Sequence, residues 1–456
     1  MKPFHALFIL FINTFLYGLF YRMGVPEFYL KFAIDWSVAL LCLAVLGQRA
    51  TELAPGLGFV GAYVCCVAVS TAMSTDSAYT GYRYARYSVY MYLVATCVWN
   101  ARLSPKEVRL LLITLFGLLA LQIAASLHEV YILNGRWEAI VGTVSATGGG
   151  MATSLPLFGM AYFIAFYLYC GRKPWLLVVA FMFPVVGYAS HKRAIYFALP
   201  FLVVTEYLWF MLRERRMAVA AEWVRLAVAI GFTMATMLYG IRNTARIAVY
   251  DADGIGEELT HAADYAQEYT VGETKGQTTG RIATSARVLH AARERDLGHV
   301  LFGWGPGAMM GTGGKFDELE IIYGATGWAR DVISVGWLAT LNFCLFFLSY
   351  WLRLGAVGRL PGTSHWKALC LGTHMAFMVF VFTHFFYGCA FSMGGTLSFP
   401  LFIMASLLVA PRHAWLRGAR IFAPAPSWRR QRSRGRPRGD PAPYPHAAID
   451  QQGRSG

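Results

Sequence analysis

The sequence predicts an all-α polytopic membrane protein with about 12 transmembrane helices and one large extracytoplasmic loop, the helices being apolar runs of about 20 residues. Three observations lead there. Of 456 residues, 57% are hydrophobic, 15% aromatic and 14% charged, whereas a soluble domain keeps roughly a quarter of its residues charged. The mean hydropathy is +0.45, and a water-soluble core cannot hide that much apolar surface. The apolar residues also come in long runs, and only helices or closed barrels satisfy the backbone inside lipid.

In order, the runs lie near 5–21, 31–48, 57–75, 87–101, 108–126, 151–169, 175–190, 194–212, 222–240, 332–353, 367–388 and 396–411. The first follows Lys2 and has no small-residue cleavage site after it, so it reads as an uncleaved span. Pro184 and Pro200 sit inside runs, where kinks are expected. The chain thus divides into a transmembrane bundle, spans 1–9 (1–240), a large extracytoplasmic loop with short helices (241–331), spans 10–12 (332–411) and a basic, disordered cytoplasmic tail (412–456). Within the loop, 251–269 reads as a turn followed by an amphipathic helix and 281–294 as a second helix, followed by the glycine-rich LFGWGPGAMMGTGG.

The net charge of +15 comes from loops and tail rather than a soluble face, so nucleic acid is not an expected partner. Lysine and arginine favour the cytoplasmic side. Arg49, Arg102, Lys106, Arg109, Arg172, Lys173, Arg213, Arg215, Arg216, Arg225, Arg353, Arg359 and Lys367 put both termini there. The eight cysteines lie in or beside apolar runs, with neither disulfide nor zinc spacing.

The exceptions to that charge rule are the informative residues. Arg83 and Arg86 fall at the outer edge of a span among tyrosines, and Lys192 and Arg193 in a very short outer turn. Arg242, Arg246, Arg281 and Arg287 lie in the large loop. Guanidinium groups match phosphate oxygens in a planar fork, so an anionic ligand at the outer surface is one reason for them. Snorkelling in an aromatic belt is the other reading of Arg83 and Arg86. Asp251 and Asp253 read as a turn rather than a metal site. His374 and His384, ten residues apart in one span, read as core histidines. The amides of 303–307 are a candidate phosphate cradle.

The stretch TTGRIATSARVLHAARERDLGHVLFGWGPGAMMGTGG resembles the outer loop of the bacterial O-antigen ligase and polymerase superfamily. There a Gly-Arg opens a helix and a PLFGxGxG-like segment closes it, matched here by Gly280-Arg281 and by 301–307. The turn Ser190-His191-Lys192-Arg193 resembles the family's S-x-x-R. The resemblance covers roughly 187–341 and implies a fold like that of C-type glycosyltransferases. It also implies that Arg193 and Arg281 match the family's two essential arginines. The chain departs from the family where ligases, and some polymerases, carry a His-Asn-like motif: counting back from Gly336 gives Ala325, with no histidine near it.

The activity so implied is polymerisation of undecaprenyl-pyrophosphate-linked oligosaccharide into O-antigen, capsule or exopolysaccharide at the outer face of the bacterial inner membrane. Cations fixed at the leaving pyrophosphate stabilise the transition state. Arg193 and Arg281 are the expected catalytic pair, with Arg83, Arg86, Lys192, Arg287 and Trp304 as substrate contacts. No metal and no cofactor are expected, because arginines supply the charge. Glu318, Glu320, Asp331 and His261 are base candidates; Tyr87, Trp304, Tyr323 and Trp328 are either sugar platforms or packing. Expected partners are the lipid-linked donor, membrane lipids, and a chain-length regulator and flippase of the same pathway. The rival readings are a ligase transferring glycan to lipid A core or protein, and a multi-span transporter or flippase.

Overall fold

The computed structural model describes residues 1–48, 52–74, 76–133, 142–144, 150–189, 193–247, 273–274, 277–278, 281–294, 296–309, 326–386 and 398–419. Ten helices come first: α1 (Pro3–Phe15), α2 (Tyr17–Arg22), α3 (Glu27–Leu46), α4 (Leu57–Met73), α5 (Ala78–Asn100), α6 (Pro105–Tyr131), α7 (Gly150–Tyr169), α8 (Pro174–Ala189), α9 (Arg193–Arg213) and α10 (Ala220–Ile247). Two short strands, β1 (Glu273–Thr274) and β2 (Gln277–Thr278), pair antiparallel with Glu273 opposite Thr278. Then follow α11 (Arg281–Arg293), α12 (Leu297–Phe302), α13 (Gly327–Val357), α14 (Ser364–Phe386) and α15 (Ser398–Val409).

Each apolar run read from the sequence falls on a helix, the first being split at Leu16, where ψ is 9°. Among the described residues, five helices are long and apolar enough to cross a membrane: Glu27–Leu46, Pro105–Tyr131, Ala220–Tyr239, Gly327–Val357 and Ser364–Phe385. A sixth is reached if α15 and the 3-10 helix Pro411–Arg417, bent by 82°, count as one. The chain is an all-α membrane protein.

Local chemistry starts and stops these helices. Ser104 and Glu107 form a reciprocal capping box at α6, with Pro105 in the first turn. At the centre of the bundle, Phe346, Phe347 and Tyr350 of α13 surround Phe402 of α15, with ring centroids 4.8, 5.1 and 5.0 Å away. Gly372 of α14 packs directly on Tyr162 of α7, whose hydroxyl meets Thr373 Oγ1 at 2.9 Å. α10 keeps Val224, Val228 and Phe232 exposed at helical spacing, a face that lipid must cover.

Two expectations change, and a third is met in the part the structure describes. The segment 241–331 is helical at both ends, because α10 continues to Ile247 and α13 begins at Gly327; Asp331 therefore lies in a helix. The helix expected over 281–294 is α11, whereas the one expected over 251–269 lies outside the described residues. The tail is not disordered from 412: residues 411–417 form a 3-10 helix docked on the bundle. Arg412 Nη1 donates to Asn100 O at 3.0 Å, His413 Nε2 meets Val98 O at 3.1 Å, and Thr363 N donates to Arg417 O at 2.8 Å. Tail residues beyond 419 lie outside the described part.

Candidate functional site

The glycine-rich loop is seated on a broken helix. Within α13, Gly336 has φ 79° and ψ 175°, so the helix is interrupted for one residue. The carbonyls freed before the break are taken by the loop: Trp304 N donates to Ile333 O at 2.8 Å and Gly305 N to Ser334 O at 3.1 Å. A third amide, Gly307 N, donates to Asp76 Oδ2 at 2.8 Å, which ties the loop to the start of α5. From α4, Ser70 Oγ also donates to Ser334 O, at 2.8 Å. These bonds correct one expectation: the amides of 304, 305 and 307 serve protein acceptors and do not form a phosphate cradle.

Two glycines make this joint sterically feasible. Gly303 has φ 76°, and a Cβ there would stand 2.6 Å from Gly336 N and Val335 N. A Cβ on Gly336 would collide with Leu301 O and Phe302 N. Both positions need a left-handed backbone and a bare Cα at once.

Five residues before the break, α13 carries Asp331. Its Oδ1 accepts a hydrogen bond from the Tyr84 hydroxyl of α5, and its Oδ2 lies 3.4 Å from His384 Nε2 of α14. Asp331 is 3% exposed, Tyr84 1% and His384 0%. A carboxylate so enclosed needs polar partners, and here the Tyr84 hydroxyl of α5 donates to it and the His384 ring of α14 lies beside it. Tyr63 of α4, also buried, lies within electrostatic reach of the same carboxylate. An aspartate with a phenol bonded to one oxygen and a histidine beside the other can hold a proton and pass it on.

α11 packs beside this cluster. Ser285 Oγ meets Thr326 Oγ1, at the cap of α13, at 2.9 Å, and Thr284 and Ser285 are buried. Arg281 is the first residue of α11, one turn before Ser285. Arg193 is the first residue of α9. That helix runs antiparallel to α14: Glu214 and Lys367 pair at 2.8 Å at one end, and Phe201 stacks on Phe382 at 5.6 Å towards the other. The start of α9 therefore lies at the His384 end of α14. The side chains of Arg193 and Arg281, and the whole of Lys192, lie outside the described part.

The remaining expected contacts separate by face. On α5, Gly81, Tyr84, Ser88, Met91 and Ala95 point inward, whereas Tyr79, Tyr82 and Arg83 are exposed. Arg83 lies over the Tyr79 ring at 5.9 Å, as a residue snorkelling at the interface would. Arg86 is instead committed to the protein: Nη1 is 3.3 Å from Asp35 Oδ2 and Nη2 is 2.8 Å from the Tyr87 hydroxyl. Its charge already has a carboxylate beside it. Arg287 is half-buried on α11. Trp304 is 7% exposed and packs with Ala308, Ala329 and Ile333, so it is a packing residue here rather than an open sugar platform.

Among the base candidates, Glu318, Glu320 and His261 lie outside the described residues, and Asp331 is the one placed in a polar cluster. The two histidines read as core residues differ. His374 is sandwiched between Trp209 at 4.8 Å and Trp351 at 4.5 Å, as a core histidine should be. His384 is also a core residue, 0% exposed, and it lies beside Asp331. The signal for Tyr84 was present in the inward-facing spacing of α5; nothing local in the sequence links it to Asp331 or His384. No known protein family matches the sequence, and no curated protein matches it.

Proposed function

We propose that this protein is a polysaccharide polymerase of the O-antigen ligase and polymerase type. It joins oligosaccharides carried on undecaprenyl pyrophosphate at the outer face of a bacterial inner membrane, without a metal. In this reading all twelve apolar runs cross the bilayer, both termini are cytoplasmic, and most of 241–331 forms an outer loop. The observation that carries it is the meeting of α11, which begins at Arg281, with the broken helix α13, beside the Asp331–His384–Tyr84 cluster.

The chemistry balances on these residues. The acceptor hydroxyl oxygen bonds to the anomeric carbon, and the bond from that carbon to the pyrophosphate oxygen breaks, its electron pair leaving with the pyrophosphate. Arg193 and Arg281 offset the growing negative charge. The hydroxyl proton passes to the Asp331–His384 pair.

A ligase is the second reading, and His384 favours it: the histidine missing near Ala325 in sequence is supplied to Asp331 from another helix. Purified protein given lipid-linked repeat units, without nucleotide sugar or added metal, tests both. Lengthened glycan on the lipid supports a polymerase. Glycan moved to lipid A core alone supports a ligase. Near-normal elongation by both Arg193→Ala and Arg281→Ala would remove the arginine mechanism.

A further inference from the structure

At the opposite end of the bundle from Asp331, three arginines converge on one carboxylate. Arg172, in the α7–α8 connection, places Nη2 2.7 and 2.9 Å from the two oxygens of Glu222. Arg216 Nη1, in the α9–α10 connection, is 3.1 Å from Glu222 Oε1, and Arg225 Nη1, one turn further along α10, is 3.0 Å from it. The Tyr207 hydroxyl donates to Oε2 at 2.7 Å. Glu222 is buried and fully occupied. Three guanidinium groups share one carboxylate, so two positive charges are left over.

Those charges are open to an outside ligand. The Arg216 and Arg225 side chains are 47% and 51% exposed, while Glu222 holds them on one spot. Lys173 and Arg215, also exposed, add to the same end.

The surroundings say what kind of anion fits. α10 leaves this spot with Val224, Val228 and Phe232 exposed in line along one face. Trp223 and Trp175 are exposed beside the arginines, the position of interface anchors. A free anion has no use for an apolar stripe; a phosphate carrying acyl chains does.

We propose that Arg172, Arg216 and Arg225, gathered by Glu222, form a binding site for the headgroup of an anionic phospholipid whose chains lie along the exposed face of α10. Two guanidiniums offer paired N–H donors to the phosphate oxygens, and Glu222 holds them in place before the lipid arrives. The site is independent of the proposed polymerase activity.

Native mass spectrometry of the full chain in detergent, with phosphatidylglycerol or phosphatidylcholine added at equal concentration, tests it. Phosphatidylglycerol is expected to be retained preferentially, and Arg216→Ala with Arg225→Ala to weaken it about thirtyfold. Arg109→Ala, an exposed arginine elsewhere, is expected to leave retention unchanged. Excess inorganic phosphate should not displace the lipid; displacement would identify a free-anion site and overturn the proposal. Equal retention by the double variant and the native protein would also overturn it. Should the double variant not fold, the native protein still decides. Preference for phosphatidylglycerol that fades in high salt supports the site, and no preference refutes it.

Discussion

Asp331 Oδ2 and His384 Nε2 face each other across 3.4 Å between α13 and α14, with Tyr84 bonded to the other carboxylate oxygen. Replacing Asp331 by Ala leaves a buried histidine and a buried phenol without this partner. A loss of about 3 kcal/mol is expected, read as thermal unfolding in detergent. Asp331→Asn retains the shape and is expected to cost less stability. If the pair takes the acceptor proton, Asp331→Asn nevertheless lowers elongation by about a hundredfold or more. Elongation at the native rate would exclude that role.

The contact of Gly303 with Gly336 is backbone against backbone. Gly336→Ala forces a left-handed alanine against Leu301 O, and Gly303→Ala pushes a methyl into the broken turn of α13. Each is expected to destabilise by about 3 kcal/mol or more, combining backbone strain with overpacking. Gly117→Ala, where a Cβ meets open space, is the matched control. Equal melting points across the three variants would contradict the joint.

Arg83 and Arg86 are three residues apart but differ in what they lose on substitution. Arg86→Ala strands the carboxylate of Asp35, whose side chain is 26% exposed, and is expected to cost about 2 kcal/mol after discounting for solvent. Arg83→Ala is expected to stay within about 0.5 kcal/mol, because its side chain lies at the surface over Tyr79. Thermal unfolding of both variants in the same detergent checks the ordering.

Shortening the chain separates the two parts of the basic tail. A chain ending after residue 419 retains the bonds of Arg412, His413 and Arg417 to the bundle, and is expected to melt as the full chain does. A chain ending after residue 410 loses those bonds and uncovers the pocket of Leu416, which is 1% exposed. A drop of about 3 kcal/mol is expected. Equal stability of the two shortened chains would show that the 3-10 helix contributes nothing.

Much of the fold was legible from hydropathy, because lipid imposes one requirement on every span: apolar side chains around a self-satisfied backbone. That is why the apolar runs fall on helices. The ends of α10 and α13 were not legible. Both continue past their apolar stretch into polar residues, and hydropathy marks the apolar stretch rather than the end of a helix. The docked segment 411–417 was hidden for a similar reason: its arginines look like a solvated tail until Asn100, Val98 and Thr363 are brought to meet them.

By itself, the sequence determined that this chain is a helical membrane protein, and which arginines stand out against the charge rule. Only the tertiary structure decided what those and other polar groups touch. It gave Arg86 to Asp35, drew Arg172, Arg216 and Arg225 onto Glu222, and joined Tyr84, Asp331 and His384 from three helices. The physical reason is that hydropathy is a sum over neighbours along the chain. The partner of a buried charge is chosen by helix packing, across as many as 247 residues in the case of Tyr84 and Asp331.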